Sequence, residues 1–229
     1  MQTILITGAN RGLGLEFVRQ YAPSGVKLLA CCRDPEGATE LQALQKQHAN
    51  IRVYPLDVSK AQDIQALASQ IKEPIDILIN NAGTLEQSEA LGNISTEAYL
   101  QTFLVNAIAP LKMVEAFRQH VANSSRKLIV CISSTMGSIG ENTSGGYYSY
   151  RSSKAALNMA MKSAGIDLAS KGIKVLLLHP GWVKTRMGGD SATTEPVDSI
   201  QGMRKVIENY QPAPGEVIFY RFDGQTAGW

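Results

Sequence analysis

Seven short runs rich in Val, Ile and Leu, at about 2–7, 26–32, 51–56, 75–80, 127–133, 173–179 and 216–222, are each bounded by polar, Gly or Pro residues, a pattern that predicts strands. Between them, apolar residues recur three and four positions apart over roughly 12–22, 36–48, 60–71, 96–122, 149–171 and 196–209, as in Leu41 with Leu44 and in Ile64, Leu67, Ala68 and Ile71. That spacing places them on one face of a helix. Strands that alternate with helices are joined by right-handed crossovers into a parallel sheet covered on both faces. Covering on both faces also explains why the strands read as continuously apolar. The expected fold is therefore α/β and doubly wound, with residues 1–229 forming one domain, since neither an internal repeat nor a linker interrupts the pattern. Ligands of such sheets bind beyond the carboxyl ends of the strands, so the residues just after each apolar run become the functional candidates.

Composition narrows the partners. Lys and Arg total 22 against 20 acidic residues, a net charge of +2, too weak a field to favour nucleic acid or a membrane. Small molecules are the expected partners. Cys31, Cys32 and Cys131 lie inside apolar runs without metal-ligand spacing, so they are expected to be reduced and to pack as small hydrophobes, with no metal bound. The first apolar run has no basic leader and stops at Thr7 and Gly8. A cytoplasmic location is expected.

The first run leads directly into Thr7-Gly8-Ala9-Asn10-Arg11-Gly12-Leu13-Gly14 and then a helical start. Glycines there permit a tight turn and close backbone approach, and the helix N-terminus offers amides to a pyrophosphate. Glycines alone are a weak signal, because any strand-to-helix turn can use them. Further segments follow the other strands in order: Asp57-Val58, Asn80-Asn81-Ala82-Gly83, Asn106 within Val105-Asn106-Ala107, Ser134, Tyr150-x-x-x-Lys154, and Pro180-Gly181-Trp182-Val183-x-Thr185. Taken together and in this order, the chain resembles the short-chain dehydrogenase/reductase family from end to end. It looks most similar to the short C-factor-like and carbonyl-reductase-like members.

The resemblance implies a three-layer α/β/α (Rossmann) architecture with a seven-stranded sheet. It also implies a nicotinamide nucleotide held by Gly8, Asn10, Arg11, Gly12, Leu13, Gly14, Asp57, Val58, Asn80, Ala82, Gly83, Pro180, Gly181, Val183 and Thr185, together with Tyr150 and Lys154. A carboxylate at the tip of the second strand would bind the adenine ribose of NAD(H), but Cys32 stands there, followed by Arg33. Arg33 and Arg11 supply planar guanidinium forks suited to a 2′-phosphate. NADP(H) is therefore expected over NAD(H), with Asp34 as the residue that would favour NAD(H) if it turned inward.

Carbonyl reduction needs a hydride on carbon and a proton on oxygen. A tyrosine, with an ordinary pKa of about 10, needs a nearby ammonium to act as a base near neutrality. Only Tyr150 among the three tyrosines here has a lysine four residues on, since Arg151 and Ser152 follow Tyr147 and Tyr148 at that spacing. By resemblance Tyr150 is the acid/base and Lys154 holds the ribose hydroxyls and lowers the tyrosine pKa. Ser134 then binds the substrate carbonyl, and Asn106 fixes a water on the proton path. The connection from Ser134 to Tyr150 is slightly longer than the family pattern, and a one-residue slip would exchange Ser134 for Ser133.

Substrate choice is expected in the loop and helix at about 185–209 and in the C-terminal segment. Met136, Tyr147, Trp182, Met187 and Met203 are candidate wall residues for a small carbonyl or alcohol substrate, each equally able to be ordinary packing. The resemblance implies a homodimer or homotetramer through the fourth and fifth helices and the last strand. Two further readings are a C-factor-like signalling protein with little turnover and a redox sensor that binds NADP(H) without reducing anything. Sensors of that kind commonly lack the tyrosine that this chain retains.

Overall fold

The computed structural model describes residues 1–85 and 90–229. Seven strands, β1 (Thr3–Thr7), β2 (Lys27–Cys32), β3 (Ile51–Pro55), β4 (Ile77–Asn80), β5 (Leu128–Ile132), β6 (Lys174–His179) and β7 (Val217–Arg221), form one sheet in the order β3-β2-β1-β4-β5-β6-β7. Every neighbouring pair is parallel. Chain order reverses between β1 and β4, which gives the doubly wound Rossmann arrangement and opens a crevice beyond the carboxyl ends of those strands.

The helices are α1 (Gly12–Tyr21), α2 (Thr39–Gln47), α3 (Ala61–Gln70), α4 (Thr96–Phe103), α5 (Ala109–Ala122), α6 (Tyr148–Leu168) and α7 (Pro196–Asn209). Side chains of each strand alternate between two apolar layers. Leu5, Leu29, Ile129 and Leu177 join Ile64, Phe117, Leu157 and Met161 from α3, α5 and α6. Ile4, Ile6, Leu28 and Leu176 join Phe17, Leu41, Ile200 and Met203 from α1, α2 and α7. Both faces of the sheet are thus buried, as the unbroken apolar runs require.

Two expectations need correction. The continuous helix over 96–122 is interrupted by one π turn at Leu104–Ile108. Pro110 explains the interruption: without an N–H it cannot bond the carbonyl of Asn106, four residues earlier, so the regular ladder fails there. Met203, a candidate wall residue, is fully buried within α7. It packs against the sheet with Ile200 and Ile207 and lines no substrate site.

The outer edge of β7 is covered by the chain itself. Arg221 N donates to Gln225 O at 2.7 Å and Ala227 N to Phe219 O at 2.8 Å, so the last strand presents little free backbone edge along this stretch.

Helix α6, which carries the Tyr150–Lys154 pair, sits close to the sheet because Gly165 has no side chain. A Cβ there would lie 2.2 Å from Val217 Cγ2. Gly165→Ala is expected to cost about 1–3 kcal/mol through overpacking, lowering the thermal midpoint by several degrees, and Val217→Ala should recover part of the loss. Calorimetry of the two single variants and the double variant checks this; additive losses would contradict the close approach.

Candidate active site

The turn from β1 into α1 is a backbone cradle. Gly8 and Gly12 adopt φ of 67° and 53°, where a side chain is strained. A Cβ on Gly14 would lie 2.1 Å from the Gly8 carbonyl oxygen, so the helix start and the loop can touch only through glycine. Arg11 forms the N-cap in extended conformation, with no side-chain cap and no acid in the first turn. The amides of that turn and the positive end of the helix dipole therefore offer themselves to an anion.

The cradle is tied to the end of β4. Thr7 Oγ1 accepts from Asn81 N and Ala82 N, each at 3.0 Å. Asn81 Nδ2 donates to Thr7 O at 2.9 Å and to Gly8 O at 3.2 Å. Asn80, buried, donates to the thiol of Cys131 at 3.5 Å. All three cysteines are free and buried. Among the site residues expected from sequence, Gly8, Gly14 and Ala82 are thus brought together, and Gly12 lies next to Thr185, whose methyl would be 3.7 Å from a Cβ at Gly12. The loop after β6 therefore reaches the glycine cradle. Pro180 O accepts from Ser199 Oγ at 2.6 Å, Gly181 has φ of 85° beside Phe222, and buried Val183 pairs with Thr194.

On the other side of the crevice, α6 starts at Tyr148, so Tyr150 and Lys154 lie one turn apart near its N-terminus. The Lys154 ammonium is 5.7 Å from the centroid of the Tyr150 ring. It is buried, and donates to Ile132 O at the end of β5 at 2.8 Å. Burial lowers Lys154 from 10.5 to about 8. Burial raises the Tyr150 phenol, opposed by a hydrogen bond with Ser134. Ser134 Oγ also accepts from Met136 N at 3.1 Å, so the serine can act as a donor on its other side.

Ser133 is directed elsewhere, donating to Asn158 Oδ1 at 2.6 Å in the interior. Ser133 therefore faces the interior, and it is the Ser134 hydroxyl that acts on the Tyr150 phenol. Asn106 lies in the π turn, fully buried. Its side chain exchanges two 2.8 Å hydrogen bonds with the backbone of Thr84 and donates to Ser153 Oγ at 3.1 Å. A Cβ on Gly83 would sit 3.4 Å from Asn106 Oδ1 and 3.9 Å from Lys154 Nζ. Gly83, Asn106 and Lys154 therefore meet at one point.

At the tip of β2, Cys32 is buried while Arg33 and Asp34 are exposed. Asp34 is engaged in its own turn, accepting from Gly37 N at 3.0 Å. Arg11 and Arg33 form no ion pair among the described residues. Burial raises Asp57, but hydrogen bonds from Ser59 and the charges of Lys60 and Arg33 outweigh it, leaving the carboxyl below its usual range. Val58 packs against the core, and Asn10 and Leu13 are half-buried in and after the glycine turn. Of the remaining wall candidates, Met136 is half-buried, whereas Tyr147, Trp182 and Met187 are exposed. Among the described residues no group of acidic, His and Cys side chains is arranged to hold a metal ion, and no helix is long and apolar enough to cross a membrane.

Several contributors were missed by the sequence reading. Thr7 and Asn81 join the two strand ends, Ser153 links Asn106 to α6, and Gly137 lets the turn after β5 approach, since a Cβ there would be 2.7 Å from Lys154 Cβ. Thr7 and Asn81 lay inside motifs already noted. Gly137 carried no local signal.

A doubly wound sheet with a glycine cradle after its first strand and a Ser–Tyr–Lys cluster across the crevice defines an oxidoreductase of nucleotide-binding type. The model of the short chain dehydrogenase family matches residues 2–196, and the chain belongs to that family. The C-signal protein of Myxococcus xanthus is 41% identical over 156 residues, covering 68% of this chain and 93% of the relative. Two solved structures align with a TM-score of 0.94 at 34% identity: the carbonyl reductase Sniffer of D. melanogaster, with 100% of both chains covered, and an NADPH-bound carbonyl reductase from chicken fatty liver, with 100% of this chain and 99% of that one covered.

The buried ammonium has a consequence for stability. A base whose folded pKa, here about 8 against 10.5, is depressed costs stability while it is charged in the folded state. The cost is full below about pH 8 and vanishes above the unfolded value, so stability rises with pH between them. At about 1.36 kcal/mol per unit the effect is on the order of 3 kcal/mol. Urea unfolding of cofactor-free protein should find Lys154→Met more stable than wild type at pH 7, the gap closing towards pH 10.5. A gap that stays constant would contradict a desolvated ammonium.

Proposed function

We propose that the protein is an NADP(H)-dependent oxidoreductase that interconverts a carbonyl compound and a secondary alcohol, with Tyr150 as the acid/base. The observation that carries this reading is the convergence of Ser134, Tyr150 and Lys154 at the crevice floor, opposite the glycine cradle.

The residues fit a nicotinamide nucleotide. The left-handed glycines and the uncapped start of α1 suit its pyrophosphate. Lys154 carries three donors, and a buried ammonium whose hydrogen bond among the described residues goes to a single carbonyl suits ribose hydroxyls. Arg11 and Arg33, without ion-pair partners among the described residues, suit a 2′-phosphate, and Asp34 is turned into its own loop. The NADPH in the chicken enzyme's structure supports the same choice. When bound, the nicotinamide supplies or accepts the hydride.

The chain's own residues handle the proton. Burial keeps Tyr150 protonated at neutral pH, the form needed to donate to a carbonyl oxygen. Ser134, next to Tyr150, turns its proton to that same oxygen and polarises it. As the alcohol forms, Tyr150 is left as phenolate, stabilised by the Lys154 ammonium. Lys154 holds that charge and passes a proton back. Asn106 sits at the head of this path; its backbone carbonyl is denied the ordinary helix bond by Pro110 and is suited to anchor a water. The reverse reaction uses the same groups as base.

Similarity to the C-signal protein favours a second reading, in which NADP(H) is bound but turned over slowly in a signalling role. Homo-oligomer formation through the 96–122 helix and α6 would use exposed Leu100, Ile108 and Leu111 of the first and Met159 and Ile166 of the second as its surface; light scattering that found only monomer would remove this part of the proposal.

The direct assay follows reduced-nicotinamide absorbance with a panel of aldehydes, ketones and quinones. NADPH should be preferred. Tyr150→Phe should abolish turnover while NADPH binding, read by fluorescence, stays within about twofold. Arg33→Asp should shift preference towards NADH. Retained activity in Tyr150→Phe would refute the acid/base assignment, an unchanged cofactor ratio would reduce Arg33 to a surface charge, and firm binding with no turnover would favour the signalling reading.

A further inference from the structure

The connection from Ser134 to Tyr150 borders any carbonyl held between those two side chains, because it joins the two elements that carry them. Its first half is anchored to the C-terminal segment: Ser138 Oγ donates to Trp229 O at 2.9 Å, and Glu141 accepts from Arg221 Nη2 at 2.9 Å and Gly228 N at 3.0 Å. Its second half ends in three consecutive left-handed residues, Gly145 (φ 65°), Gly146 (φ 64°) and Tyr147 (φ 49°). For tyrosine that conformation costs about 1–2 kcal/mol, and it persists only where the surroundings hold it.

Arg151, the residue after Tyr150, supplies much of that hold. Its Nη2 donates to Ser144 Oγ at 2.8 Å, Nε to Gly145 O at 3.1 Å and Nη1 to Met136 O at 3.4 Å. Its backbone amide donates to Tyr147 O at 2.8 Å. One planar guanidinium thus cross-links both ends of the connection, a span that a single ammonium cannot reproduce. The link continues inwards, because Met136 N donates to Ser134 Oγ at 3.1 Å.

We propose that Arg151 is a positioning residue for the carbonyl substrate: it clamps the 136–147 loop into a fixed wall beside Ser134 and Tyr150 and holds the strained Tyr147 in place. This rests on the functional reading given above. The guanidinium touches neither the reacting atoms nor the glycine cradle. Its loss is therefore felt in substrate affinity, while hydride and proton transfer proceed once substrate is seated.

The test compares wild type, Arg151→Met and Arg151→Lys by kcat and KM for a carbonyl that wild type reduces, by the Kd for NADPH, and by hydrogen exchange of amides 142–149. Both variants should raise KM about tenfold, leave kcat and the NADPH Kd within about threefold, and speed exchange across the loop, with no rescue by lysine. Unchanged exchange would overturn the clamp. Faster exchange with unchanged KM would overturn its bearing on substrate, as would a loss confined to kcat. If these variants fold poorly, Ser144→Ala removes one acceptor at an exposed position and should raise KM by a smaller factor. Tyr147→Gly relieves the strain, and should hold or raise the thermal midpoint while KM rises. A KM unchanged in both would overturn the proposal. A wild type that reduces no carbonyl overturns the functional reading itself, and the exchange result still separates that failure from failure of the clamp.

Discussion

The ammonium of Lys154 is the feature around which the crevice is arranged. A buried cation is costly unless the protein surrounds it with acceptors or shifts it towards neutrality, and here its partner is the Ile132 carbonyl at the end of β5. To let Lys154 sit there, Gly137 must lack a side chain against its Cβ, and Gly83 leaves only van der Waals space beside its ammonium. Asn106, locked to Thr84 and Ser153, closes a third side. The depressed pKa of about 8 is the energetic trace of this arrangement. It leaves the group charged at neutral pH with one carbonyl as acceptor among the described residues, the condition under which the ribose hydroxyls and phenolate of the proposed reaction gain most from it.

The sheet makes that arrangement possible by bringing the ends of β1, β4, β5 and β6 to one edge. Thr7 and Asn81 stitch the first two together, and the Tyr150–Lys154 turn of α6 lies over the third through Ser134 and Ile132. Thr185 carries the loop after the fourth back to Gly12. The close packing of Gly165 on Val217 sets the height of α6 above the sheet. A methyl group introduced far from the crevice can therefore shift the two side chains to which the proposed chemistry is assigned.

Much of this was legible from residue order. Strand and helix bounds followed apolar periodicity to within a few residues, because the central strands are buried on both faces and most helices on one. The family emerged from motifs at successive strand ends, none of them specific alone. The π turn is not visible in the apolar spacing, which continues through it; Pro110 is the local signal that the sequence carries for it. Met203 was misplaced because an apolar residue on α7 looks the same whether it faces a substrate or the sheet. The choice between Ser133 and Ser134 required the third dimension, since adjacent residues at a strand end point to opposite sides. So did the clamp by Arg151, whose acceptors are mostly backbone carbonyls and leave no mark on sequence.

The central claim is that Tyr150 exchanges the proton and that Lys154 sets its readiness to do so. The most direct measurement is the pH dependence of kcat/KM for alcohol oxidation with NADP, in wild type and in Lys154→Gln. The account predicts that activity rises with pH through the ionisation of one group, and that this apparent pKa moves up by at least about one unit when the ammonium is removed. An apparent pKa identical in the two proteins, with activity lowered by the same factor at every pH, would contradict it.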